Sequence, residues 1–125
     1  MRFSLLGLAT AALAPSLVLA GGASQSCSLA WIGPSGVRGD CKDGSGSYHW
    51  GIEDLNLCVG NNRGYLVAQD NGGFAGSCSD CTGDGSLLWC TCGDGWGGNV
   101  RTSVNLDDFL TNESGWLWCF GHRGT

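Results

Sequence analysis

An all-β domain made of two similar halves is the fold class this sequence predicts, and three observations carry it. Cys27 and Cys78 lie 51 residues apart, as do Cys41 and Cys92, Leu55 and Leu106, Asn61 and Asn112, Gly64 and Gly115, and Leu66 and Leu117, all in one ungapped register. A unit this short rarely buries a core alone, so the copies should pack on each other as a pseudosymmetric pair, with any site present in two versions. Eleven of the 23 glycines sit in Gly-Ser, Asp-Gly or Gly-Gly pairs, the punctuation of tight turns. The segments between turns have strand length and strand composition, as at Tyr65, Leu66 and Val67 or Leu87, Leu88 and Trp89.

Taken in chain order, Met1 and Arg2 precede an apolar run, Phe3 to Leu19, that is broken by Pro15 and ends in Val18-Leu19-Ala20. Residues 1–20 therefore read as a cleaved secretory signal, the run being short for a membrane span. The expected product is secreted and extracellular. Each copy then runs Cys, hairpin, Cys, Gly-rich turn, apolar-polar stretch, a Leu-Asn or Leu-Asp step, and an Asn-x-x-Gly turn. Asp107 to Leu110, and its mate Asn56 to Val59, read as single helical turns. Asp70 to Gly73 reads as the connection between copies. The domain is set at residues 24–119, with repeat one over about 25–70 and repeat two over about 74–119, and 120–125 is a C-terminal tail.

The net charge is −5, and loss of Arg2 with the leader makes it one unit more acidic. That balance disfavours phosphate backbones and anionic lipid, so neither nucleic acid nor membrane is an expected partner. Eight cysteines in an exported chain of this size read as four disulfides. Cys81 and Cys90 bracket a segment with Gly83-Asp84-Gly85 as its hairpin tip, which makes 81/90 the economical local pair. Four thiolates at Cys78, Cys81, Cys90 and Cys92 are the rival arrangement, a structural zinc site, which export into an oxidising compartment opposes.

No catalytic constellation stands out, and no cofactor or metal is implied. His49 and His122 are the only imidazoles, without a His-x-x-x-His or Gly-x-Ser-x-Gly pattern beside them, and both read as solvent-facing. Asp107-Asp108 is a poor glycosidase pair, because neighbours in sequence seldom face one another across a scissile bond. It is assigned to capping a turn. Most of the six tryptophans are assigned to core packing and disulfide shielding.

Val104-Asn105-Leu106-Asp107-Asp108 with Asn112-x-x-Gly115-x-Leu117, and Asp54-Leu55-Asn56 with Asn61-x-x-Gly64-x-Leu66, resemble the two repeats of the cyanovirin-N homology lectins, small sugar-binding proteins. Gly73-Phe74 before Cys78 resembles that family's linker. The resemblance spans about Gln25 to Cys119 and implies bridges Cys27–Cys41 and Cys78–Cys92. It also implies strand exchange, in which the end of one repeat packs into the lobe built by the start of the other, an arrangement that would allow Cys58–Cys119. It implies two binding sites at opposite poles. One comprises Gln25, Ser26, Lys42, Asp43 and Gly44 with Asn112, Glu113 and Ser114, and the other Gly76, Ser77, Gly93, Asp94 and Gly95 with Asn61, Asn62 and Arg63.

Several positions depart from the family's best-known sugar binder. Lys42, Arg63 and Ser114 replace acidic residues, Gly44 a threonine, and Gly93-Asp94-Gly95 a Lys-Thr-Arg run. Asn61 and Asn112 read equally as ligands or as scaffold, since Asn tolerates left-handed turns. Asn112-Glu113-Ser114 is also an N-glycosylation sequon, and a glycan there would obstruct the first site. Trp96, between Gly95 and Gly97, is the tryptophan expected to be exposed for stacking on a sugar ring.

The implied function is a non-catalytic lectin for oligosaccharides or glycoproteins, mannose-containing glycans foremost. The alternative is a protein-binding or surface-acting secreted factor on the same scaffold. A small cell-wall hydrolase is a remote third. A monomer is expected, with a strand-exchanged dimer as the family's other form.

Overall fold

A computed structural model describes residues 21–125. The signal-peptide assignment, on residues 1–20, lies outside them. The elements are β1 (Cys27–Ile32), β2 (Gly36–Lys42), β3 (Tyr48–Asp54), β4 (Val59–Asn62), β5 (Tyr65–Ala68), β6 (Cys78–Asp84), β7 (Leu87–Gly93), β8 (Asn99–Asn105), β9 (Thr111–Glu113), β10 (Trp116–Cys119) and β11 (His122–Arg123). Strands β1-β2-β3 and β6-β7-β8 form two antiparallel three-stranded sheets, with β4-β5 and β9-β10-β11 as separate hairpin units. Single 3-10 turns occupy Ala23–Gln25, Leu55–Leu57, Phe74–Gly76 and Leu106–Asp108. The class and the two-fold repetition are as the sequence indicates.

The repeats exchange strands. Hairpin β9-β10, from the end of repeat two, packs on β2 and β3 of repeat one, while β5 packs on β7 and β8 of repeat two. Two equivalent hydrogen bonds lock the exchange: the Ala75 N–H donates to Asn56 Oδ1 at 3.0 Å, and the Ser24 N–H donates to Asp107 Oδ1 at 2.8 Å. Ser24 Oγ also donates to Asp107 Oδ2. Asp107 is thus a tie between repeats. The cap of its turn is Asn105, which accepts from the Asp107 N–H at 3.0 Å, as Asp54 accepts from the Asn56 N–H at 2.9 Å. The capping function assigned to the Asp107-Asp108 pair therefore belongs to the residue before Leu106, because an Asx side chain reaches the amide two positions on.

The core is aliphatic and cystine-rich: Leu55, Val59, Phe74, Leu88 and Leu110 are buried together with Cys41, Cys58, Cys90, Cys92 and Cys119. The disulfides are Cys27–Cys41, Cys58–Cys119, Cys78–Cys92 and Cys81–Cys90. No cysteine is free, so the zinc alternative has no thiolates to use. Tryptophan contributes less to the core than expected. Trp31 packs against Phe74, with ring centroids 6.4 Å apart, but Trp50, Trp96 and Trp116 are exposed. Alternation along β10 turns Leu117 and Cys119 inward, which leaves Trp116 and Trp118 on the outer face.

The two sheets differ at one strand pair. Between Ser79 and Thr82 the register of β6 and β7 shifts, with Asp80 at φ 51°. Arg101 braces this bulge by donating to the Asp80 carbonyl at 2.6 Å and to Thr91 Oγ1 at 3.2 Å. The hairpin tip falls at Gly85 and Ser86, overlapping the expected triplet at its last residue.

The last residues are integral to the fold. β11 pairs with β10, Gly124 N–H donates to the Leu117 carbonyl at 2.7 Å, and Thr125 exchanges two backbone hydrogen bonds with Ile52. Gly51 explains the docking: a Cβ there would lie 2.0 Å from the Thr125 carbonyl oxygen. Its repeat-two counterpart, Thr102, fills the same kind of gap by its own hydroxyl, which accepts from the Leu66 N–H at 3.1 Å. His122 is correspondingly half-buried and pairs with Asp70 at 2.8 Å, tying the C terminus to the inter-repeat connection. Solvent-facing describes only His49, and only partly.

Candidate functional site

Two tight hairpin turns set the poles. Arg63-Gly64 and Ser114-Gly115 are left-handed at both residues, with φ 53° and 98°, and 56° and 96°. Glycine at the second position relieves the backbone cost and a steric one: a Cβ would lie 2.6 Å from Val100 at Gly64 and 2.9 Å from His49 at Gly115.

Each turn is held against the other repeat by one asparagine. Asn61 Nδ2 donates to Ser77 Oγ at 2.8 Å and the Gly93 carbonyl at 2.9 Å, while Oδ1 accepts from the Gly64 N–H at 2.7 Å. Asn112 Nδ2 donates to Ser26 Oγ at 2.9 Å and the Lys42 carbonyl at 2.8 Å, and Oδ1 accepts from the Gly115 N–H at 2.8 Å. Both amide hydrogens are occupied in each case, so these side chains build the poles from behind.

At the first pole a hollow of about 270 Å³ is walled by Ser24, Gln25, Ser26, Cys27, Ser28, Lys42 and Tyr48. It gathers Gln25, Ser26 and Lys42 of the expected set and adds Ser24, Ser28 and Tyr48. Tyr48 escaped the sequence reading because it stands on β3, in the stretch between the Gly-rich turn and the Leu-Asn step, to which no site residue was assigned. Register is what delivers it, Tyr48 lying directly opposite Lys42.

Asp43 faces its own turn. Its Oδ1 accepts from Ser45 Oγ at 2.7 Å, the Ser45 N–H at 2.8 Å and the Ser47 N–H at 3.1 Å, and Oδ2 pairs with His49 Nε2 at 2.9 Å. These donors, the Ser45 hydroxyl foremost, hold its carboxyl down at about 2. Gly44 stands in open space at the tip of that turn. Glu113 and Ser114 are exposed and lie outside the lining of the hollow.

The second pole is a more open version. Asp94 Oδ1 accepts from the Trp96 N–H at 2.7 Å and the Gly98 N–H at 3.0 Å, the same Asx closure as Asp43. Oδ2 has no protein donor among the described residues, and the Asp94 side chain lies against the Asn61 turn, 3.5 Å from a Cβ built at Gly64. Trp96, at 82% exposure, extends from this turn beside Gly95, as expected. Asn62, Arg63, Gly76 and Ser77 are exposed around it.

A separate groove of about 510 Å³ lies on the outer side of hairpin β9-β10. Its walls include Asp108, Phe109, Thr111, Glu113, Trp118 and Phe120. Phe109 and Phe120 stack with centroids 6.1 Å apart, and Phe120 holds φ 47° at 45% exposure. Nothing in the repeat pattern signals this groove, since Cys58 and Gln69 occupy the equivalent positions in repeat one.

Solved structures share this shape. A MoCVNH3 variant in complex with (N-GlcNAc)4 matches with TM-score 0.73 at 18% identity, covering 79% of this chain and 97% of that one. The CVNH protein of Gibberella zeae matches with TM-score 0.66 at 26% identity, covering 78% and 95%. Microvirin, solved with mannobiose, matches with TM-score 0.63 at 28% identity, covering 77% and 95%. No curated protein matches the chain. The CVNH domain model matches residues 24–118, nearly all of the folded part, and with the exchanged repeats and paired poles this places the chain in the CVNH family.

Proposed function

We propose that the protein is a secreted, non-catalytic lectin that binds mannose-containing or related oligosaccharides at its poles. The observation that supports this most directly is the first-pole hollow. Hydroxyls of Ser24, Ser26, Ser28 and Tyr48, the Gln25 amide and the Lys42 ammonium line a space of about 270 Å³ on a disulfide-stapled frame. A polyol needs many donors and acceptors fixed in advance, because each hydroxyl left unpaired on binding costs about 1 to 3 kcal/mol. The second pole offers Asp94 Oδ2 and the Trp96 face, a carboxylate acceptor beside a stacking surface. The mannobiose bound by microvirin and the N-acetylglucosamine tetramer bound by the MoCVNH3 variant supply the first ligands to try. A glycan array on residues 21–125 should return saturable binding, weakened by Gln25→Ala at the first pole or Asp94→Ala at the second. An array silent at high micromolar protein would remove the reading.

The groove on hairpin β9-β10 favours a second reading, a protein-binding factor. Phe109, Trp118 and Phe120 give it a mostly apolar wall, with Asp108 and Glu113 at its rim. Partners that remain bound after complete enzymatic deglycosylation, and are lost on Phe120→Ala, would favour that reading over the first.

A further inference from the structure

The outer face of the first sheet continues away from the hollow as a shelf. Tyr48 and Trp50 alternate along β3 and so point to one side, roughly 7 Å apart along the strand. Each is 64% exposed, so neither contributes much to the core. Alongside, β2 places Lys42 opposite Tyr48, Asp40 opposite Trp50 and Arg38 opposite Ile52. An apolar row thus runs beside a row of charged donors and acceptors. Arg38 stacks its guanidinium 4.7 Å from the Trp50 ring centroid and pairs with Asp40 at 3.2 Å, which fixes the indole.

The duplication provides an internal control. In repeat two, Asn99, Arg101 and Ser103 stand where Tyr48, Trp50 and Ile52 stand in repeat one, and Gly93, Thr91 and Trp89 replace Lys42, Asp40 and Arg38. The second sheet forms the same antiparallel register without the shelf. Folding therefore does not require it.

We infer that the first-pole site extends along β3 and takes a linear oligosaccharide longer than a disaccharide. The inference rests on the sugar-binding reading of that pole. Tyr48 and Lys42 belong both to the hollow and to the start of the shelf, so a chain seated in the hollow continues onto Trp50. A pyranose ring offers an apolar C–H face, which stacks on the negative face of an aromatic ring, and an edge of hydroxyls. Ring after ring in a linear glycan repeats that pair of surfaces, which matches two parallel rows. A protein partner covering the same face would have to desolvate Arg38, Asp40 and Lys42.

The test is a titration of residues 21–125 with mannose and N-acetylglucosamine oligomers of increasing length, followed by calorimetry and by NMR shifts at β3. The expected result is an affinity that rises about tenfold from the disaccharide to the longer oligomers. Trp50→Ala should erase that gain and leave disaccharide affinity within about twofold, and Trp50→Phe should restore most of it. Disaccharide binding with no gain on lengthening, or a Trp50→Ala loss equal at all lengths, would overturn the extension while leaving the pole a sugar site. Absence of binding at every length would remove both.

Discussion

Asn112 donates to Ser26 Oγ at 2.9 Å across 86 residues of chain, and with its bond to the Lys42 carbonyl this fastens the last hairpin of repeat two to the opening of repeat one. Asn61 repeats the arrangement with Ser77 and Gly93. Asn61→Ala and Asn112→Ala should therefore act first on stability. Each removes three hydrogen bonds and leaves the Gly64 or Gly115 amide unpaired, a loss of about 2 to 3 kcal/mol. Urea unfolding should show the lowered midpoint for both variants, with the disulfides keeping them folded in water. A variant that lost glycan affinity at full stability would instead make the amide a direct ligand.

The same bonds bear on the sequon. A glycan on Asn112 replaces one Nδ2 hydrogen, so the bond to Ser26 or to Lys42 must be given up, and the sugar must leave through the hairpin contact. The folded product of a eukaryotic host should carry no glycan at Asn112. Intact mass before and after enzymatic deglycosylation checks this. A fully occupied Asn112 in folded material would mean that the hairpin tolerates an opened amide.

The repeat register made much of this fold legible. Residues matched at the 51-residue spacing, such as Asn61 with Asn112 and Gly64 with Gly115, turned out to be the structural joints, because joints are what both halves need. What the register hid is whatever only one half possesses. Tyr48 and Trp50 have Asn99 and Arg101 as mates, and Phe120 has Gln69, so no repetition marked them. The C terminus was missed for a related reason: its docking depends on the absence of a side chain at Gly51, which no pattern of present residues reveals.

The disulfides should differ in worth by loop length. Cys81–Cys90 spans 9 residues and Cys58–Cys119 spans 61. Restriction of the unfolded chain then gives about 3 kcal/mol for the first and about 4 kcal/mol for the second. Paired replacement by alanine, followed by urea titration, should rank them in that order. Burial of Cys58 and Cys119 in the core widens the gap through the cavity that replacement leaves. Equal losses would mean that the Arg101-braced bulge contributes strongly through Cys81–Cys90.

Glu53 gives the pH dependence a defined sign. It is 1% exposed, Oε1 accepts from the Asp54 N–H at 3.0 Å, and Oε2 has no partner among the described residues. Burial raises its carboxyl to about 7, against the counteracting Asp54 amide and the positive charge of His122. Between the unfolded value of 4.5 and about 7 the folded state holds the proton that the unfolded state releases. Stability from this group is thus full below about 4.5 and falls as pH rises through 7, the reverse of a salt-bridged carboxylate. Glu53→Gln should unfold at nearly the wild-type denaturant concentration at pH 4 and at a higher one at pH 8, by on the order of 3 kcal/mol. Parallel profiles for the two proteins from pH 4 to 8 would mean that Glu53 ionises in the folded state as easily as in the open chain.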